Sequence, residues 1–221
     1  MMIEINCVEV SGIETALRGM RNPLASWKKS DSYYDFKEGK FIPGEEDLEL
    51  AKKLITSGDD HGKLARQIYI GADITAPLYW WKEMDQYKVG TTTNSESTMH
   101  TLTKFPITAN SFSINEEDIG LPIYDDVAHS YEIGHIWSEL IRTCEELRQR
   151  YQKTGRKEYW NTLVRILPSA WLQMRTWTGN YAILKNIYYA RRNHKLKEWH
   201  DFCDFIEQLP YAEYLILTGE K

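Results

Sequence analysis

The chain has 221 residues, 42% of them hydrophobic and 27% charged, with a net charge of −5. That length suits one domain with a full core, and the composition is that of an ordinary globular protein. The acidic balance argues against nucleic acid as a partner. Cys7, Cys144 and Cys203 are odd in number and far apart, which fits neither a disulfide framework nor a metal cluster and suits a reduced, cytoplasmic setting. The start MMIEINCVEV has no basic and apolar leader, and no apolar run approaches a membrane span. Aromatics are abundant, with 8 Trp and 14 Tyr, residues that suit both a helical core and a site that stacks planar rings.

In chain order, Ile3, Ile5 and Cys7 alternate with polar residues and predict a half-buried strand to Val10. Ser11 and Glu14 form a capping-box pattern that opens a helix to about Arg21, which Asn22-Pro23 stops. Residues 26–44 show no period and read as a loop. Leu48, Ala51 and Ile55 share a helical face from Glu45, and Gly58 ends it. Ile68, Ile70, Ala72 and Ile74 alternate as a second strand. Pro77 fits the first turn of a helix carrying Leu78 to Met84. Residues 90–115, rich in Gly, Thr, Ser and Asn, read as caps and turns.

From Asp125 onward the pattern is helical. Ile133, Trp137, Leu140, Cys144, Leu147 and Tyr151 form an amphipathic stripe that Gly155 closes. Trp160, Leu163 and Val164 mark a short helix to Pro168, another runs from Ser169 to about Arg191, and a last one from about His194 to Leu209. Strands followed by helices describe a single α+β domain over residues 1–221, a small antiparallel sheet with a helical C-terminal half.

Three groups of residues could carry chemistry. Lys185, Arg191, Arg192, His194, Lys195 and Lys197 form a basic patch that could hold a phosphate or simply be a solvated face. Arg191, His194 and Glu198 share a face if one helix runs through them. Glu132 and His135 have the spacing of half a di-iron site, but no second copy exists, so no metal is expected. Gly90 to Ser97 could hold a phosphate or a cofactor edge with hydroxyls and amides, or be a plain surface loop.

Taken together, these segments resemble the flavin-dependent thymidylate synthases. The C-terminal stretch reads Arg165-Ile-Leu-Pro168, Trp177-Thr178-Gly179-Asn180, Leu184-Lys185-Asn186, Arg191, then His194-Lys-Leu-Lys-Glu198. The family has an Arg before Leu-Pro, a Trp-Thr-x-Asn, an Asn six residues on, a Leu-Arg and a His-Ala-Gln-x-Glu. Upstream, His61-Gly-Lys-Leu-Ala-Arg-Gln67 stands where the family has His-Glu-Ser/Thr-Pro-x-Glu-His, and Ala76-Pro77 opens a helix as the family's Ala-Pro does. Arg18 and Arg21 fall where the family has basic residues. The centre departs: for Arg-His-Arg, Ser, Asn-Glu, Ser and Arg-Tyr this chain has Gln86-Tyr87-Lys88, Thr91, Asn94-Ser95, Ser97 and Met99-His100. Methionine cannot replace an arginine fork, and lysine is not its equivalent at a bidentate site.

The resemblance implies a homotetramer that methylates dUMP with methylene-tetrahydrofolate, FAD and NADPH, and needs no protein nucleophile. It implies Arg191 against the uracil ring as the catalytic residue, and Arg165 and Ser97 on the nucleotide. His61, Lys88, Asn94, Asn180, Asn186 and His194 would face the flavin. The expected activity is flavin-dependent methylation or hydroxymethylation of a uracil nucleotide. The alternative is a non-catalytic nucleotide-binding or structural descendant that has lost flavin chemistry.

Overall fold

The computed structural model describes residues 3–121 and 133–219. In chain order the elements are β1 (Glu4–Ser11), α1 (Ile13–Met20), β2 (Tyr33–Asp35), β3 (Lys40–Ile42), α2 (Glu45–Thr56), β4 (Tyr69–Pro77), α3 (Leu78–Met84), β5 (Thr92–Ser95), α4 (Thr98–Thr101), α5 (Glu116–Ile119), α6 (Ile133–Thr154), α7 (Lys157–Ile166), β6 (Leu172–Asn180), α8 (Tyr181–Arg191), α9 (Lys197–Glu207) and α10 (Ala212–Leu215). A four-stranded sheet has the order β1-β4-β6-β5, and β2 and β3 form an antiparallel hairpin. Small sheets with a largely helical C-terminal half make this an α+β fold, as the sequence predicts. The chain folds into two compact units: residues 1–74, 86–94 and 176–221, and residues 75–85 and 95–175.

In the first unit the alternation of β4 holds. Ile68, Ile70, Ala72 and Ile74 are all buried, and each isoleucine taken from water contributes about 1.5–3 kcal/mol. Trp177 of β6 and Phe202 of α9 meet edge to face with centroids 6.2 Å apart. Leu184 and Ile187 of α8 and Leu48, Ala51 and Ile55 of α2 complete this core.

The N-terminal segments depart from their predicted details. Cys7 does not join Ile3 and Ile5 on the inner face: it is exposed, and its φ of 50° breaks the two-residue alternation. The helix after β1 is not capped by Ser11. Gly12, with φ of 89°, is the N-cap of α1, because a left-handed residue turns the chain there at little cost to glycine. Pro77 closes β4 instead of lying in the first turn of α3. The loop read over 26–44 contains the β2–β3 hairpin. Its residue Asp31 caps α2 from outside, accepting from the amides of Glu46 (2.9 Å) and Asp47 (3.1 Å).

The largest correction is β6. Residues 169–191 are not one helix: β6 runs to Asn180 and α8 begins at Tyr181. The reason lies in the second unit, where the inward face of β6 carries polar residues. Gln173 is buried and donates through Nε2 to the carbonyl of Glu96 (2.7 Å) and to Thr98 Oγ1 (3.2 Å). Arg175 donates to Gln173 Oε1 (2.9 Å) and Asp85 Oδ1 (2.8 Å) and lies 4.4 Å from the Trp81 ring centre. Hydrophobic alternation therefore fails as a guide, although Gln173 and Arg175 both have partners. Likewise α8 ends at Arg191 and α9 starts at Lys197, so Arg191, His194 and Glu198 do not share one helix.

The second unit centres on Cys144, Leu163, Phe112, Ile107 and Leu102. Trp137 and Trp171 meet the Phe112 ring edge to face, at 5.2 and 5.4 Å. The stripe predicted for α6 packs on this core, and Gly155, with φ of 67°, donates to the Tyr151 carbonyl at 2.8 Å as the expected C-cap. Glu145 ties α6 to the preceding loop. It accepts from Arg148 Nε (2.7 Å), Arg148 Nη2 (2.6 Å), Gln149 Nε2 (2.7 Å) and the Ile107 amide (2.8 Å). Arg148 foremost, helped by Ile107 and Gln149 and opposed by burial, lowers the Glu145 pKa from 4.5 to about 2. A depressed folded-state pKa means the stabilisation is present above pH 4.5 and is lost as pH falls toward 2. Glu145→Gln is expected to cost about 2 kcal/mol at pH 7. Urea unfolding followed by circular dichroism should show the wild-type and variant curves converging at the acid end of that window.

Candidate functional site

Asn180 starts α8 as its N-cap, its Oδ1 accepting from the Ile183 amide at 3.1 Å. Such a cap is worth about 1 kcal/mol and fixes where the helix begins. Arg191 is the last residue of α8. Its Nε donates to the Tyr87 hydroxyl at 2.9 Å. Its guanidinium carbon lies 4.7 Å from the Trp199 ring centre and 5.6 Å from that of Tyr87. The two rings are themselves edge to face at 6.2 Å. Each cation–π contact contributes about 0.5–2 kcal/mol, and together with the hydrogen bond they fix the plane of the fork. The Tyr87 carbonyl accepts from Thr91 Oγ1, which holds the turn that presents this tyrosine.

His194 stands in the short link between α8 and α9. Its amide donates to the Arg191 carbonyl at 2.8 Å, and its Nδ1 accepts from the Leu196 amide at 3.2 Å. An accepting Nδ1 puts the neutral ring's proton on Nε2. The ring lies 6.3 Å from Trp199, so Arg191 and His194 share that indole as a neighbour. A β-carbon on Gly90, whose φ is 78°, would come within 3.2 Å of Asn180 Nδ2, so the 86–94 segment approaches the start of α8 closely.

The other expected residues are dispersed. Lys88 and Asn94 are exposed, Asn94 on β5, and Asn186 is exposed on α8. His61 is exposed and precedes a 3₁₀ turn over Gly62–Gln67. Ser97 is the N-cap of α4, where its backbone carbonyl accepts from the His100 and Thr101 amides. Arg165 is exposed in the last turn of α7. Ser97 and Arg165 belong to the second unit and the rest to the first. The basic patch is not one solvated face: Lys185 Nζ donates to the Ile55 carbonyl at 3.3 Å, and Arg192 lies over the rings of Tyr188 and Tyr189.

Tyr87 and Trp199 were not among the residues predicted for the site. Tyr87 stands at the middle of the stretch aligned with Arg-His-Arg, and Trp199 directly follows Glu198, so motif adjacency was the available signal. Neither buried cysteine suits nucleophilic chemistry: burial pushes the Cys144 thiol up to about 11 and the Cys203 thiol up to about 12. Glu132 lies outside the described residues, and the described residues hold no cluster of His, Cys, Asp or Glu able to bind a metal. No helix among the described residues is long and apolar enough to cross a membrane.

A cleft of about 880 Å³ opens in the first unit and includes His61. Leu50, Leu54 and Leu64 line it together with Lys63 and Arg66, and Asp60 is the one carboxylate among its lining residues. Its size falls in the range of cofactor sites. Apolar surface for a planar ring and two cations for a diphosphate make this lining chemically suited to a flavin dinucleotide.

No family model and no curated protein sequence matches the chain. Solved structures do. The flavin-dependent thymidylate synthase ThyX of Helicobacter pylori, in complex with FAD and dUMP, superposes with a TM-score of 0.69 at 18% identity, covering 99% of this chain and 100% of that one. The UMP/dUMP methylase PolB of Streptomyces cacaoi, bound to 5-Br dUMP, superposes with a TM-score of 0.63 at 13% identity, over 97% and 94%. Across nearly its whole length, the chain has the fold of the flavin-dependent thymidylate synthase ThyX, shared with the UMP/dUMP methylase PolB.

Proposed function

We propose that the chain is a diverged member of the flavin-dependent thymidylate synthase family and methylates a uracil nucleotide such as dUMP. The observation that carries this reading is Arg191. It sits at the motif position that the family uses against the uracil ring, and this fold holds its guanidinium by Tyr87 and Trp199. A cation fixed in this way stabilises negative charge that develops on a pyrimidine ring, at no cost in reorganisation. His194 lies in the link just after it and Asn180 at the opposite end of α8, and both belong to the flavin-facing set, with His61, Lys88, Asn94 and Asn186. Arg165 and Ser97 take the nucleotide. When bound, reduced FAD supplies the hydride, NADPH restores it, and methylene-tetrahydrofolate supplies the carbon. The working form is a homo-oligomer, tetrameric by analogy.

A second reading has its own observation. Gln86 and Met99 stand where the family has Arg, and Ser95 where it has Glu; all three are exposed, and neither Gln86 nor Met99 supplies a cationic fork. That favours a non-catalytic descendant that still binds a nucleotide. Visible spectra of the purified protein separate the two. The enzyme reading expects flavin absorption retained through gel filtration, bleached by NADPH, and dUMP converted to a product one CH₂ heavier. A colourless protein that takes up no FAD yet binds dUMP would establish the second.

A further inference from the structure

A second cleft of the first unit, of about 600 Å³, shares no lining residue with the one at His61. Lys52 and Thr56 of α2, Lys185 of α8, and Leu217, Thr218 and Gly219 after α10 line it. It contains two ammonium groups and no carboxylate among its lining residues. Lys185 is half-buried, and that burial holds its pKa below the ordinary lysine value, with Asp59 acting in the opposite sense. Lys52 Nζ lies 5.6 Å from the Tyr214 ring centre. Gly219 is held in place by Tyr189, whose hydroxyl accepts from its amide at 2.7 Å and donates to its carbonyl at 3.0 Å.

Thr218 supplies the independent observation. It is 6% exposed, and its Oγ1 is buried with no hydrogen-bond partner. A hydroxyl cut off from water without a replacement partner is a destabilising feature that a fold retains only rarely. Thr218 is itself one of the residues that line the cleft. Two compact cationic groups, an unsatisfied hydroxyl and the absence of lining carboxylates all favour the same guest, a multiply charged oxyanion. We propose that this cleft binds a phosphate group, free or carried by a small metabolite, between Lys52, Lys185 and Thr218. The site is independent of the uracil-nucleotide reading.

The test is calorimetric titration of the full chain with inorganic phosphate at low ionic strength. Wild type should saturate, and Lys52→Met and Lys185→Met should each weaken binding about tenfold or more, the effect of one charge-assisted hydrogen bond. Thr218→Val is isosteric. It should weaken phosphate binding while leaving the thermal midpoint without phosphate equal to or above that of wild type. A merely structural threonine would not separate these two readouts. Arg191→Ala should bind phosphate as wild type does, which keeps this site distinct from the nucleotide site. Ribose 5-phosphate binding more tightly than inorganic phosphate identifies a phosphorylated metabolite as the guest; equal or weaker binding identifies free phosphate. Failure of wild type to saturate overturns the proposal, as does wild-type affinity in both Lys52→Met and Thr218→Val.

Discussion

Asp47→Ala is expected to lower the unfolding free energy by about 3–5 kcal/mol, because it leaves a buried arginine without its counter-charge. Asp47 is 1% exposed and Arg21 6%. The Asp47 carboxylate accepts from Arg21 through both Nε and Nη2, and from the Ser30 and Ser32 hydroxyls, the last at 2.6 Å. Burial alone would raise its pKa, but the bonds from Ser30, Ser32 and Arg21 outweigh it, and the net effect is a lowered value. The group is therefore ionised at neutral pH. Its stabilisation is present above the ordinary carboxylate range and is lost as pH falls through the depressed folded value. This pair fastens the end of α1 and the 30–32 segment to the first turn of α2, beside the amides that Asp31 caps. Urea unfolding followed by circular dichroism measures the loss. The double variant Arg21→Met, Asp47→Leu should recover much of it, since apolar replacement of a buried ion pair is often close to neutral. A loss below about 1 kcal/mol in the single variant would show that Arg21 finds another partner on relaxation.

What was legible in the sequence follows from which physical signal each element carries. The two-residue period of Ile68 to Ile74 and the helical stripe of Trp137, Leu140, Cys144 and Leu147 are apolar patterns facing apolar cores, and both appear as read. β6 was not legible, because Gln173 and Arg175 occupy its inward positions and find partners in Glu96, Thr98, Asp85 and Trp81, which are distant in sequence. The cap at Gly12 and the turn at Cys7 depend on positive φ values that a serine-led capping pattern obscures. Motif order alone singled out Arg191, Asn180 and His194 as candidates. The motif could not show that Asn180 spends its carbonyl oxygen on capping α8, or that Arg191 is oriented by Tyr87 and Trp199. Those are tertiary facts, set where a helix end, a turn and the next helix converge.

Arg191→Ala is expected to weaken dUMP binding by at least about thirtyfold, the loss of one or two charge-assisted hydrogen bonds of about 1.5–3 kcal/mol each. Arg191→Lys separates charge from geometry. Lysine keeps the positive charge but cannot present a planar fork across Trp199 while bonding Tyr87, so affinity should recover only in part. Tyr87→Phe removes the hydroxyl that holds Nε at 2.9 Å and keeps the ring. If Tyr87 positions the guanidinium, this variant should lower turnover more than it raises the apparent KM, because a mis-set cation loses most where charge develops in the transition state. Equal stability of the three variants and wild type in urea would assign these losses to the site and not to the fold. Tight dUMP binding depends on Arg191 under both functional readings. Wild-type dUMP affinity in Arg191→Ala would therefore remove the nucleotide from this end of α8 altogether and leave only the fold in common with the thymidylate synthases.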